Sequence, residues 1–169
     1  VPPIIKAGGT VDKYLGDGLL AVFETADEKS SAVAALQAAQ GIRNALAEFN
    51  LTLISEKQAE VQIGIGIHLG DVVLGEIGAA GNAPRTLIGD TVNAASRLEG
   101  QTKELGVDLL VSDAVLIGAD ISTDGLDLVR LALRGVTEPV NALAVPRQVL
   151  LETALLPKPV ETEPTPEPE

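Results

Sequence analysis

The sequence predicts an α+β domain in which a mixed or antiparallel sheet carries helices on one face. Strand-like and helix-like patterns alternate along the 169 residues. At least two strands are joined by a tight Gly-Asp-Gly turn, which favours hairpins over a doubly wound parallel sheet. Because 46% of the residues are apolar but only 2% are aromatic, we expect a core of Val, Ile, Leu and Ala.

The N-terminal third is expected to contain a helix end, a hairpin and a long helix. The first helix is predicted to stop at Gly8-Gly9, and Gly16-Asp17-Gly18 is predicted to join two short strands. Residues 27–49 carry apolar side chains at helical spacing with charged residues between them. This spacing indicates an amphipathic helix.

The middle of the chain is expected to form two strands and a helix. The segment 58–73 is predicted to be a strand leading into a turn, because its apolar residues alternate with small or polar ones. A loop rich in Gly, Ala and Pro is expected over 78–85, and a short strand over 85–88. A helix is predicted from Asp90, its expected N-cap, to about Leu105.

The C-terminal third predicts three further strands, at 107–112, 126–134 and 141–145. We expect residues 1–150 to form one domain. Residues 151–169 are rich in Pro and Glu and are expected to be a disordered tail or linker, since they offer too few apolar groups to offset the entropy of ordering.

Charge and composition exclude several classes of partner. The net charge of −12 argues against nucleic acid and anionic membranes, which attract basic proteins. A nucleotide stays compatible, because a few local cations can outweigh the global field. No apolar run approaches the ~20 residues that cross a bilayer, so we expect no membrane contact from this segment. The absence of Cys fits a reducing, cytoplasmic location, and the absence of Met suggests a processed chain or a fragment.

Asp17 is the first candidate for chemistry. It lies at the predicted hairpin tip, and the glycines on both sides would let a ligand approach the backbone. A carboxylate in such a place is a plausible ligand for a hard cation. An Asp that only satisfies its own turn would show the same local pattern.

Asn93 and Arg97 form the second candidate pair. Their i, i+4 spacing places them on one face of the predicted helix, near its positive end. An amide beside a guanidinium suits a ribose and a phosphate, although a solvated polar stripe would have the same spacing. Lys13 lies ~13 Å from Asp17 along an extended strand, so these two residues cannot easily grip one small group.

Two further polar residues are less informative. Arg134 is expected to end a strand before Gly135, where it could reach a phosphate or only act as a charge on a strand edge. His68 is the only His. We assign it no catalytic role, because a single His after an apolar strand is more often structural.

Four stretches resemble motifs of the class III adenylate and guanylate cyclase catalytic domain, in the family's order. Residues 8–23 are similar to its metal hairpin, 63–78 to its next strand and turn, 87–99 to its signature helix, and 133–140 to its closing strands. The resemblance covers about residues 3–147. It implies the family's ferredoxin-like α/β sandwich without its first strand and helix.

The resemblance implies a role for each matching residue. Asp17 falls on the second of two metal-binding aspartates, and Lys13 and Thr86 fall on the two purine-reading positions. Asn93 falls on the asparagine that orients the ribose. Arg97 falls on the arginine that stabilises the transition state.

The purine-reading pair favours ATP. Lys13 can donate to adenine N1, whereas guanine N1 carries a hydrogen. Thr86 can accept from the adenine amino group, although its hydroxyl can also donate. Arg134 stands where the family usually has a Lys for the terminal phosphates, which keeps the charge but changes the geometry.

The resemblance therefore implies an adenylate cyclase that converts ATP to cyclic AMP and pyrophosphate, with two divalent cations, Mg²⁺ or Mn²⁺, as cofactors. The family works as a head-to-tail dimer. In a homodimer, Asp17 of one chain would share a site with Lys13, Thr86, Asn93 and Arg97 of the other. A full-length cyclase chain is the alternative partner.

One departure limits this interpretation. The sequence begins after the family's first strand, which carries the other metal-binding aspartate. We therefore expect this chain to be inactive alone, the intact parent protein to be active, and the sheet to have an exposed edge. The alternative function is a catalytically incomplete cyclase-like module that dimerises or binds nucleotide as a regulatory partner.

Overall fold

The structure, a computed structural model, describes residues 1–76 and 85–155. The predicted loop over 78–85 and the tail beyond residue 155 therefore lie almost wholly outside the described residues. In chain order, the elements are α1 (Pro2–Lys6), β1 (Thr10–Leu15), β2 (Gly18–Val22), α2 (Glu28–Ser55), β3 (Ile65–Ile67), β4 (Val73–Glu76), β5 (Arg85–Ile88), α3 (Asp90–Leu105), β6 (Leu109–Ser112), α4 (Asp113–Gly118), β7 (Leu128–Leu131), β8 (Val140–Val145) and α5 (Leu151–Ala154).

The predicted N-terminal hairpin is present. Strands β1 and β2 pair in antiparallel fashion, with Leu15 opposite Gly18. Gly16 adopts a φ of 64°, a left-handed conformation that glycine reaches without a steric cost. The turn chemistry of the sequence therefore places Asp17 at the tip.

The main sheet has four strands in the order β3-β6-β8-β7. Strand β3 runs parallel to β6, whereas β8 is antiparallel to both β6 and β7. The predicted mixed sheet and α+β class are thus confirmed. A separate antiparallel pair is formed by β4 and β5.

The helices cover both faces of this sheet, so the prediction of helices on one face is wrong. Leu109 and Val111 of β6 pack in a core with α2 and α4, whereas Leu110 packs in a second core with α3. All four residues of β6 are buried. A continuous apolar run of this kind is typical of a strand that is covered on both sides.

Helix α2 is longer than predicted and ends at Ser55 rather than near residue 49. Its N-cap is Asp27, whose carboxylate accepts a 2.7 Å hydrogen bond from the Ser30 amide; this bond lowers the pKa of Asp27. In the described part of the chain, no helix is both long enough and apolar enough to cross a bilayer.

Several boundaries differ from the predictions. In the segment 58–73, only Ile65–Ile67 and the start of β4 are strand. The N-cap of α3 is Gly89 rather than Asp90, and no side chain caps this end. Helix α4 was not predicted, because its six residues carry too short a pattern to recognise.

The chain just after residue 150 packs against the domain. Residues Leu151–Ala154 form α5, and Leu151 is buried in the core with α2. The Leu151 amide donates to Gln40 Oε1 at 3.0 Å. The start of the predicted tail is therefore part of the packed domain.

A buried ion pair attaches this C-terminal segment to α2. Arg43 Nε lies 3.0 Å from Asp108 Oδ2, and both side chains are almost fully buried. The Arg43 guanidinium also donates to the carbonyls of Pro146 and Val149, at 2.7 and 2.8 Å. Removal of one member of such a pair typically costs about 3–5 kcal/mol, so this network fixes α2 against β6 and the chain that follows β8.

An open groove separates the hairpin from the main sheet. Within the residues that the structure describes, β2 and β3 each pair on one side only. Their free sides border a groove of about 910 Å³, which α2 and α3 also line. The structure thus has the exposed sheet edge that the resemblance implies.

His68 lies beside this groove, directly after β3. Its Nδ1 is 2.8 Å from the Oγ of Ser112, a fully buried residue at the end of β6. Burial lowers the pKa of His68, and the nearby Asp113 carboxylate partly opposes this effect. The imidazole is therefore neutral at pH 7, and its contact with Ser112 joins the end of β3 to the end of β6.

This environment should make folding sensitive to mild acid. The unfolded chain binds the proton first, at its ordinary pKa of about 6.5, so the contribution of neutral His68 is complete above that pH and is lost below it. His68→Asn keeps a polar group near Ser112 but does not titrate. The melting temperature of the wild type relative to this variant should decline from about pH 7.5 to about pH 5.5; a constant difference would contradict the assignment.

Candidate functional site

The hairpin tip presents Asp17 to solvent. The residue is exposed and lies at one end of the groove between β2 and β3. Tyr14 and Leu15, on the strand just before the tip, are also exposed, at 69% and 53%. An exposed carboxylate beside apolar side chains on a two-stranded projection is suited to contact with another molecule.

Lys13 lies behind the tip, next to a bulge in β1. The pairing register shifts between Val11 and Lys13, and a bulge re-aims the side chains around it. As a result Lys13 Nζ lies 3.3 Å from Asp12 Oδ2, although neighbours in a regular strand point to opposite faces. The Lys13 ammonium is thus half-buried and positioned by a carboxylate, a detail that the sequence pattern does not show.

Helix α3 carries Asn93 and Arg97 on one exposed face, as predicted. Both are in the first half of the helix, near its positive end. Ala94 and Leu98, which directly follow Asn93 and Arg97 in sequence, are buried in the core that also contains Leu110 of β6. The helix therefore anchors itself by one stripe and presents an amide and a guanidinium on another.

The remaining predicted site residues are less well defined. Thr86 belongs to β5 and lies opposite Gly75 of β4 in the register; its side chain is outside the described part of the structure. Arg134 is exposed, but it lies in a turn before Gly135 rather than at the end of a strand, because β7 already ends at Leu131.

The chain does not bring all these residues to one place. Asp17 borders the groove, whereas neither Asn93 nor Arg97 is among the residues that line it. In the ranges 1–76 and 85–155, no group of three or more His, Asp or Glu side chains could hold a metal ion. A single carboxylate does not fit two divalent cations, which need shared carboxylates.

Contacts around the start of α3 were not predicted from the sequence. Thr91 Oγ1 donates to the carbonyl of Asp71 at 2.7 Å, which ties the first turn of the helix to the chain that follows β3. A Thr just inside a helix start is a weak signal for such a bond. The contact shows that α3 and the loop after β3 form one unit.

Residues 10–125 match the profile of the family described as "Adenylate and Guanylate cyclase catalytic domain". An adenylate cyclase of Anabaena cylindrica is 36% identical over 113 residues, 67% of this chain and 22% of its own length. The terminal-differentiation specific adenylate cyclase of Dictyostelium discoideum is 32% identical over 148 residues, 86% of this chain and 7% of its own. The chain thus spans less than a quarter of these relatives.

Solved structures show the same relationship. The guanylyl cyclase Cya2 superposes with a TM-score of 0.66 at 26% identity, over 85% of this chain and 74% of its own. The adenylyl cyclase CyaB of P. aeruginosa also gives a TM-score of 0.66 at 26% identity, over 83% and 73%. These neighbours confirm the predicted fold class. By sequence and by structure, the chain belongs to the adenylate and guanylate cyclase catalytic domain family.

Proposed function

We propose that this chain is part of an adenylate cyclase that forms 3′,5′-cyclic AMP and pyrophosphate from ATP. The observation that carries the proposal is the exposed Asn93–Arg97 pair on α3 of a cyclase-family domain. The helix is anchored in the core on its other side, so the pair is held in place rather than free on the surface. Adenylate cyclases among the relatives support ATP over GTP.

The proposed reaction is an in-line attack of the ribose 3′-hydroxyl on the α-phosphorus, with pyrophosphate as the leaving group. Arg97 would donate to the oxygens of the reacting phosphate and stabilise the charge that develops there. Asn93 would hold the ribose so that the 3′-oxygen points at the phosphorus. Arg134, which lies in the turn before Gly135, would contact the terminal phosphates.

Asp17 is the candidate ligand for a cation. It is exposed at the hairpin tip and could donate a carboxylate oxygen to Mg²⁺ or Mn²⁺. Within the described residues, no group of three or more acidic or His side chains could hold a cation. The two-metal hypothesis therefore requires ligands from the nucleotide and from protein segments beyond the described ones, and the roles of Arg97 and Asn93 do not depend on it.

We further propose that the active form is a dimer in which the two chains are arranged head to tail. We expect this dimer to act in the cytoplasm. Asp17 lines the groove, whereas Asn93 and Arg97 do not, and this separation supports a site that draws these groups from two chains. The exposed Tyr14 and Leu15 near the hairpin tip, and Val73 and Ile88 on the β4–β5 pair, offer apolar contacts for such an interface. A homodimer and a full-length cyclase partner would both fit.

A regulatory module without turnover remains the second candidate. It is favoured by the lack, among the described residues, of a cluster of three or more acidic or His side chains that could hold a metal ion, and by the open groove beside β3. The two candidates differ in one measurable way: the module would bind nucleotide in the full-length protein without forming a cyclic product.

The first test removes the amide and the guanidinium. In the full-length protein, Arg97→Ala should lower kcat about 10²–10³-fold, because transition-state charge loses its donor. Asn93→Ala should lower kcat by a comparable factor through misalignment of the ribose, about 10²-fold. Cyclic AMP formed from ATP with Mg²⁺ or Mn²⁺ is the measurement.

The control for this test is Lys103→Ala, which removes an exposed cation further along the same helix. It should leave kcat unchanged. Full activity in the Arg97→Ala protein would overturn the assigned role, whereas nucleotide binding without product in the wild type would favour the regulatory module.

The second test concerns the base. In the full-length protein, kcat/KM should be higher for ATP than for GTP. Asp12→Asn/Lys13→Glu should shift this ratio toward GTP by about 10-fold or more, because a carboxylate accepts from guanine N1–H where a Lys cannot. The Asp12→Asn single variant is the control: it removes the carboxylate that positions Lys13 but keeps the ammonium, so it should still prefer ATP. An unchanged ratio in the double variant would show that Lys13 does not face the purine.

A further inference from the structure

Three glycines of the chain around β3 lie against α3. Gly64 and Gly66 share one face of the strand, because side-chain positions alternate with a period of two, and Gly70 follows in the next turn of chain. A methyl group at Gly64 would meet Thr102 Oγ1 and lie 2.8 Å from Glu99 Oε1. One at Gly70 would lie 2.5 Å from Thr91 Oγ1. The helix thus rests along this segment over most of its length.

The contact at Gly66 differs from the other two because its nearest obstacles are all helix backbone, whereas at Gly64 two side-chain atoms lie closer than the one backbone atom, the Glu99 carbonyl oxygen at 3.2 Å. A methyl group there would collide with the carbonyl oxygen of Ala95 and the amide nitrogen of Glu99, and would lie 3.0 Å from Glu99 Cα. Side chains can rotate away from an obstacle, but the backbone of a hydrogen-bonded helix cannot. Gly66 therefore sets the distance between α3 and β3.

The neighbouring strand supports this interpretation. Gly66 lies opposite Leu110 of β6 in the parallel register, and Leu110 is fully buried beneath α3. Between β6 and α3, the Leu110 side chain fills the gap. Between β3 and α3 there is no such gap, because Gly66 has no side chain and the backbones are in direct contact.

The direction of this contact matters for the candidate site. With 3.6 residues per turn, Ala95 and Glu99 lie on the side of α3 roughly opposite to Asn93 and Arg97. A displacement of α3 away from β3 would therefore move Asn93 and Arg97 outward, toward the side of the helix from which their side chains extend. Carbon contacts are relaxed at about 3.5–4.0 Å, so relief of the collision requires a shift on the order of 1 Å.

We propose that Gly66 is a positioning residue for the cyclase reaction: by keeping β3 and α3 in backbone contact, it fixes the depth at which Asn93 and Arg97 meet the nucleotide. This proposal rests on the proposed function for its kinetic consequence. Its structural part stands on the contacts of Gly66 alone.

The test uses Gly66→Ala in the full-length protein. A misplacement of about 1 Å can reduce turnover about 10²-fold, so kcat for ATP should fall by that order while KM changes less than about 3-fold, because Lys13 is on another element. Gly100→Ala is the matched control: a methyl at Gly100, on the same helix, has no neighbour within 4 Å. This control should keep the wild-type kcat.

A second pair of variants separates positioning from general damage to the fold. Gly64→Ala should also lower kcat, and Thr102→Ala should restore most of it. The nearest obstacle to the new methyl is the Thr102 side chain, and the one backbone atom nearby, the Glu99 carbonyl oxygen at 3.2 Å, has to shift only slightly. The same Thr102→Ala change should not rescue Gly66→Ala. If Gly66→Ala does not fold, the loss and rescue at Gly64 decide the matter. Wild-type kcat in a folded Gly66→Ala protein, or rescue of both variants alike, would overturn the proposal.

A crystal structure of Gly66→Ala distinguishes this proposal from the proposed function. If the full-length wild type forms no cyclic nucleotide, the proposed function fails, yet α3 must still lie further from β3 in the variant. An unshifted helix would overturn the positioning role whatever the enzyme's activity.

Discussion

The direct contact between the backbones of β3 and α3 is the constraint on which the rest of the arrangement depends. It exists because Gly64 and Gly66 remove side chains from one face of the strand, while Ile65 and Ile67 project from the other face into the core with α2. One short strand therefore fixes two helices at once, one through apolar side chains and the other through backbone. This contact therefore determines where the polar face of α3, with Asn93 and Arg97, is positioned.

The rotation of α3 explains why the candidate residues face different surroundings. The helix lines the groove with residues that include Ala95 and Glu99, which lie on the side roughly opposite to Asn93 and Arg97, so its exposed stripe points away from the groove that the hairpin borders. The hairpin in turn pairs with no strand of the main sheet in the described ranges. The proposed dimer would bring these two surfaces together: the hairpin of one chain supplies the Asp17 carboxylate, and α3 of the other supplies Asn93 and Arg97.

Local chemistry made much of the fold predictable from sequence. The Gly-Asp-Gly turn, the boundaries of β5, the C-terminal end of α3 and the α+β class all follow from short-range patterns, and the structure confirms them. The helices on both sheet faces were missed, although the buried run Leu109-Leu110-Val111 is a signal for them. Leu151 was assigned to a tail because its burial depends on contacts more than a hundred residues away.

The candidate site shows the same limit. Asn93 and Arg97 were found from their helical spacing, and their exposure on one face agrees with it. The Asp12–Lys13 ion pair depends on a bulge, and the Arg43–Asp108 pair joins residues 65 apart, so neither could be read from a local pattern. The roles of Asn93, Arg97, Asp17, Lys13, Thr86 and Arg134 remain predictions, since they concern a nucleotide and a second chain.

Complementation between two inactive full-length variants tests the central claim most directly. Asp17→Ala and Arg97→Ala chains, each inactive alone, are mixed in equal amounts and allowed to exchange. If one site draws Asp17 from one chain and Arg97 from its mate, half of the dimers regain one of two sites, and cyclic AMP formation should return to about a quarter of the wild-type rate. A mixture as inactive as the separate variants would contradict a shared site at the interface.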